Sequence, residues 1–209
     1  MLPLAILLSA LLAIAGDATV LDVRPLLLLF KPLATALILL FAARRGGDPR
    51  IRRALLAGLA FSWLGDVALM FPHGFEAGLG AFLMAHLAYL FAFTRDARPM
   101  ARLWPFVAYA FVSGAVLALL WPGLPVALKL PVAGYVLALA AMAAQALARW
   151  RVLSDPLAGR AALGSACFVL SDALLAFDRF DAPIPLAGAW VLASYWLAQS
   201  LIASSLPRR

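Results

Sequence analysis

What this chain has little of narrows the field first. Only 13% of its 209 residues are charged, and its single cysteine, Cys167, lies in an apolar run. One cysteine rules out an intramolecular disulfide, so cysteine usage says nothing of the redox compartment. There is no Gly-rich phosphate loop, no zinc-type Cys/His spacing and no low-complexity tract. Neither Gly-x-Ser-x-Gly nor His-Glu-x-x-His occurs, which speaks against ester hydrolysis through a serine triad. Lysine appears only twice, as Lys31 and Lys129. The formal charge of +7 does not point to nucleic acid, because the arginines sit in short clusters between apolar segments.

What is there is hydrocarbon. Two thirds of the residues are apolar (66%), the profile of a chain that crosses a bilayer several times. Most of the apolar segments show no polar stripe, unlike the helices of a water-soluble core. With about 20 residues needed per crossing, eight spans are predicted: 2–15, 25–43, 54–71, 75–94, 103–121, 126–148, 161–177 and 186–206. The expected fold is therefore an all-α integral membrane protein, one transmembrane domain over 1–209. The first segment is the shortest. Ala13-Ile14-Ala15 resembles a signal-peptidase site, but the segment lacks the positive leader that such peptides carry.

The arginines test the count. Arg44, Arg45, Arg50, Arg52 and Arg53 fall between segments two and three, and Arg95, Arg98 and Arg102 between four and five. Arg149, Arg151 and Arg160 fall between six and seven, and Arg208 and Arg209 end the chain. Eight crossings put all of these on one side, leaving Arg24 and Arg179 on the other with Asp17, Asp22, Glu76, Asp178 and Asp181. The positive-inside rule then places both termini in the cytoplasm, with the bacterial inner membrane as the expected location. Trp104, Trp121 and Trp150 fall near span ends, as an interfacial belt requires.

Two acids interrupt the hydrocarbon in matching frames. Asp66 lies in F-S-W-L-G-D-V-A-L-M-F (61–71), Asp172 in C-F-V-L-S-D-A-L-L-A-F (167–177). The lysines repeat too, as Lys31-Pro32 and Lys129-Leu130-Pro131. Corresponding spans are four apart and run in the same direction, which implies two parallel four-helix halves, approximately 1–98 and 99–209. At about 1.5 Å rise per residue, both acids lie roughly 7–8 Å below the outer boundary, with both lysines at a similar or shallower depth. His86 and Gln199 lie somewhat deeper. Ser62 shares the helical face of Asp66, Tyr89 that of His86, and Tyr195 that of Gln199.

Intramembrane ionisable groups are functional by default, and Asp66 and Asp172 are the candidate catalytic pair. Two carboxyls in one site divide a proton, giving a general acid beside a general base or cation stabiliser. Lys31, Lys129, Ser62, His86, Tyr89, Tyr195 and Gln199 are candidate substrate-binding or supporting residues. Each also has a structural reading: lysines snorkel to the interface and polar side chains bridge membrane helices. Other functions fit the same features. A transporter could use an intramembrane Asp/Lys site between parallel halves, and a lipid-binding or assembly subunit could use Asp–Lys pairs as interhelical contacts.

The series Lys31-Pro32, S-W-L-G-D (62–66), G-L-G-A-F-L-M-A-H-L-A-Y (78–89), F-V-L-S-D (168–172) and Tyr195 with Gln199 resembles the YhhN-like family of membrane proteins, which includes the animal lysoplasmalogenases. The resemblance covers nearly all of the chain after the first segment. It implies a multi-spanning hydrolase that cleaves the vinyl ether bond of lysoplasmalogen-type lysophospholipids, giving a fatty aldehyde and glycerophosphocholine or glycerophosphoethanolamine. Its implied partners are that lipid substrate and the surrounding membrane lipids, with no nucleic acid. The chemistry needs no metal or other cofactor: protonation at carbon gives an oxocarbenium ion, and water captures it, much as in glycosidases.

Overall fold

The computed structural model describes residues 1–17 and 20–208, and among these every regular element is helical. The order is α1 (Leu2–Gly16), α2 (Arg24–Ala43), α3 (Pro49–Ala68), α4 (Phe75–Phe93), α5 (Trp104–Leu120), α6 (Val126–Leu153), α7 (Pro156–Phe180) and α8 (Ala187–Ser204). Each of the eight expected apolar segments thus lies on a helix. Four helices, α2, α4, α6 and α7, are long and apolar enough to cross a membrane, while α1 and α5 are apolar but shorter. Arg209, expected on the arginine-rich side, lies outside the described residues.

The two acid-bearing helices begin earlier than hydropathy predicts, at Pro49 rather than Ala54 and at Pro156 rather than Ala161. The reason is capping. Asp48 accepts hydrogen bonds from the backbone N–H groups of Arg50 and Ile51, and Asp155 from that of Ala158, with proline next in each case. An N-cap aspartate satisfies amides that have no partner in the first turn, and proline there loses no bond. Cap chemistry is polar, so it extends a helix where an apolar window stops.

Helices α1 and α2, α3 and α4, and α7 and α8 form the closest neighbouring pairs. Helix α4 also packs on α6, and α2 on α8, which ties the first four helices to the last four. Small residues permit the close approach. A Cβ added to Gly164 of α7 would stand 2.8 Å from the Ala198 carbonyl oxygen of α8, and one added to Gly58 would enter the ring of Tyr89. The shared core holds Ile38, Leu55, Leu59, Phe93, Phe168 and Ile202, all essentially inaccessible. Outward faces stay apolar, with Leu4, Leu29, Phe111, Leu130 and Leu137 exposed. A hydrocarbon surround has no need of a polar outer face.

The arginines do more than mark a side. Arg149 of α6 makes a two-pronged ion pair with Asp96 in the α4–α5 connection, at 2.7 and 2.6 Å. Arg45 donates to the Leu206 carbonyl, Arg160 to that of Ser204, and Arg52 to those of Ala43 and Arg45. These carbonyls belong to the ends of α2 and α8, where the last turn has no intrahelical donors.

Gly164→Val should destabilise the protein by about 1–3 kcal/mol, because the added side chain meets the Ala198 carbonyl oxygen, which cannot step aside, together with Ile202 and Leu201. Gly134→Ala, where a Cβ has nothing within 4 Å, should leave stability unchanged or slightly raised. Thermal unfolding in detergent of both variants checks this; equal midpoints would show that the α7–α8 contact is not close-packed.

Candidate active site

Helices α2, α3, α6, α7 and α8 bring four of the singled-out polar residues to one cavity of about 440 Å³. Asp66, Asp172, Lys31 and Tyr195 line it, as does Tyr135, which the sequence reading had not singled out. The volume lies in the range of small-ligand pockets, and as in most of them a few polar groups sit in an apolar wall.

Asp66 lies in the last turn of α3 and is 2% exposed. Its Oδ2 accepts a 2.6 Å hydrogen bond from the hydroxyl of Thr35 on α2 and a 2.7 Å bond from the phenol of Tyr195 on α8. Thr35 in turn accepts from the indole N–H of Trp196, at 3.0 Å. Both carboxylate donors address the same oxygen, and Oδ1 has no hydrogen-bond donor among the described residues.

Asp172 sits about two turns before the end of α7, deeper than the expected position, because α7 runs on to Phe180. Its side chain is 17% exposed. The Tyr135 phenol on α6 donates to its Oδ2 at 2.6 Å, and His86 Nε2 lies 3.6 Å from the same oxygen. His86 Nε2 is also 2.9 Å from the Tyr135 oxygen. With the phenol proton committed to Asp172, Nε2 carries the hydrogen and donates it to Tyr135.

The two networks meet on one ring. Phe168 is fully buried and makes edge-on contacts with Tyr195, with a centroid separation of 5.6 Å, and with His86, at 4.8 Å. Phe82 closes the cluster against both Phe168 and Tyr195. Such edge-to-face packing fixes ring orientation, and so fixes where each phenol points.

The remaining predicted residues divide. Tyr89 and Gln199 pair with each other, phenol to amide oxygen at 2.7 Å, both fully buried behind the cavity wall. Ser62 lies one turn before Asp66 and is inaccessible. Its hydroxyl, His86 Nδ1 and the Gln199 amide nitrogen have no hydrogen-bond partner among the described residues. Lys31 lines the cavity, yet neither lysine makes an ion pair within 4 Å of Asp66 or Asp172 among the described residues. Lys129 does not join the group. Its ammonium lies 5.1 Å from the Trp121 ring centroid, a cation–π contact near the start of α6. The sequence reading missed Thr35, Tyr135, Trp196 and Phe168. Thr35 stands one turn after Lys31 on the same face, a signal that was available. No group of three or more His, Cys, Asp or Glu side chains placed to hold a metal occurs among the described residues.

The YhhN family matches residues 26–206. The chain is 36% identical over 154 residues to human "Lysoplasmalogenase TMEM86B", covering 74% of this chain and 63% of that protein. To the pig protein of the same name it is 36% identical over 178 residues, 84% of this chain and 72% of the relative. To the Mycobacterium tuberculosis protein named "Lysoplasmalogenase" it is 36% identical over 156 residues, 69% of this chain and 58% of the relative. The match thus spans under two thirds of the human and mycobacterial proteins. No solved structure matches the chain.

Thr35→Val removes a donor from Asp66 and strands the Trp196 N–H while keeping shape. It should lower stability by about 1–3 kcal/mol, and Thr35→Ser should restore most of that. Unfolding midpoints for the two variants decide the point; equal values would mean the network does not hold Asp66.

Proposed function

Since the chain belongs to the YhhN family, we propose that it is a membrane hydrolase cleaving the vinyl ether bond of lysoplasmalogen-type lysophospholipids. The observation that carries the reading is that Asp66 and Asp172 line one apolar cavity, each with one oxygen held by hydroxyl donors and the other without a donor among the described residues. The relatives' names, lysoplasmalogenase, support the substrate class.

The proposed reaction is as follows. One acid, protonated, delivers its proton to the vinyl carbon distal to the ether oxygen. The C=C π pair forms the new C–H bond, and positive charge spreads over the adjacent carbon and the ether oxygen. The second carboxylate faces that oxocarbenium ion and takes a proton from the attacking water. The hemiacetal then collapses: its hydroxyl proton is lost, the glycerol oxygen leaves with a proton, and a fatty aldehyde is released. Fixed dipoles in a dry cavity stabilise developing charge better than water, which must reorganise. Tyr135 and Tyr195 orient the two carboxylates, His86 orients Tyr135, and Lys31 supplies positive charge near the lipid phosphate.

The same reading includes eight spans, both termini in the cytoplasm, and two parallel halves near 1–98 and 99–209. The hydrogen bonds support the halves. In each, the helix carrying lysine and proline gives a hydroxyl to the acid of the next helix: Thr35 to Asp66, Tyr135 to Asp172. The last helix of each half then reaches across, Tyr195 of α8 to Asp66 and His86 of α4 to the Tyr135–Asp172 pair.

Purified protein should release aldehyde from a lysoplasmalogen and none from its saturated alkyl-ether analogue, which has no π bond to protonate. Asp66→Asn and Asp172→Asn should each lower turnover by about 10²–10⁴-fold, and the double variant should be little worse than the worse single one. Full activity in folded Asp66→Asn protein would sink the mechanism.

For topology, reporter fusions after Arg50, Arg98, Asp155 and Arg209 should read as cytoplasmic, and those after Pro72 and Asp181 should not. An external signal at Arg98 removes the eight-span arrangement.

A further inference from the structure

Helix α5 holds little of the core. Tyr109, Val112, Ser113, Val116, Leu117 and Leu120 recur at helical spacing and form one continuous stripe, and all six line the cavity. Such a stripe ordinarily packs on a neighbouring element. Here α5 packs on α6 but only lightly on α7, and the cavity runs along the seam between α5 and α7. Of the helix, only Pro105, Ser113 and Leu120 are buried.

The charges lie toward one end of that seam. Phe75 and Phe180, in edge contact at 5.7 Å, line the end where α7 finishes, and the Arg179 guanidinium rests 4.1 Å from the Phe75 ring centroid. Lys31, Asp66 and Asp172 come next. Beyond Asp172 the lining toward the start of α7 carries no charge: it is made by Val169 and Ala166 of α7 with Val112, Ser113 and Tyr109 of α5. The step from Asp172 to Ala166 covers about 9 Å along α7, and the α5 stripe as a whole about 16 Å.

We propose that the uncharged part of this cavity is the binding channel for the single hydrocarbon chain of the lipid substrate. The chain lies against the α5 stripe with its end toward Tyr109, Ser113 and Ala166, and its charged head stays on the Lys31 and Arg179 side. The proposal rests on the lipid-hydrolase reading for its occupant and adds the direction, the wall and the end of the channel. It makes Ala166 and Val112 determinants of chain-length preference.

The test uses a saturated alkyl-ether lysophosphocholine, which the vinyl ether chemistry cannot cleave, carrying a diazirine either at the chain end or beside the glycerol. Photolysis with the full-length protein in detergent, followed by peptide mapping, should place the chain-end label within Tyr109–Val116 or near Ala166, and the glycerol-side label near Tyr135. Chain-end labelling at Phe75 or Phe180, or only on outward faces, overturns the proposal. In kinetics, Ala166→Phe should lower kcat/KM for a long-chain lysoplasmalogen by about tenfold while sparing a short-chain one. Val112→Phe, on the same uncharged stretch of α5, should give the same split if Ala166→Phe does not fold. Equal loss for both chain lengths, or none for either, counts against the channel. Wild-type protein that releases no aldehyde would defeat the hydrolase reading, while the label map still decides where the chain lies.

Discussion

Two carboxyl groups sit inside an apolar helical bundle, and much of the internal arrangement follows from what that demands. A carboxylate taken from water needs hydrogen-bond donors, and in a hydrocarbon surround these must come from the protein. Asp66 draws on Thr35 and Tyr195, Asp172 on Tyr135. Each donor needs its own support: Trp196 donates to Thr35, and His86 approaches Tyr135. None of the acids' donors lies on the acid's own helix. Satisfying the charge is therefore the same act as docking α2, α6 and α8 onto the acid-bearing helices. Phe168, packed between Tyr195 and His86, lets both networks share one wall.

The cavity is as apolar as the networks are polar, and the proposed reaction needs both. An oxocarbenium ion is stabilised by a carboxylate most strongly where water does not screen it. The substrate's chain needs a wall that competes with lipid, and α5 offers one by spending its apolar stripe on the cavity rather than on a neighbouring helix.

Some of this was legible before folding. The eight helices follow from runs of apolar residues, since crossing length and hydropathy are local properties of the chain. Asp66 and Asp172 were visible because charge inside such a run is rare, and Tyr195 because it shares a helical face with Gln199. The starts of α3 and α7 were placed too late, because the Asp-Pro caps are read from polar side chains that an apolar window ignores. Lys129 looked like the counterpart of Lys31 by its neighbouring proline, yet it stacks on Trp121. One extra residue between lysine and proline in the second half changes the face on which the lysine emerges, since each residue turns the helix by about 100°.

The sequence by itself determined the helical class, the apolar lengths and the two acids, all of which depend on composition and on spacing along one helix. Only the tertiary structure decided which hydroxyls serve those acids. Thr35 is 31 residues from Asp66, Tyr135 is 37 from Asp172, and Tyr195 is 129 from Asp66. Spacing along one helix places Thr35 beside Lys31 and Tyr195 beside Gln199, but it does not say which acid either reaches. Their role comes from the azimuth at which each helix docks, and that depends on contacts between helices, such as Gly164 of α7 against α8 and the ring of Phe168 against Tyr195 and His86.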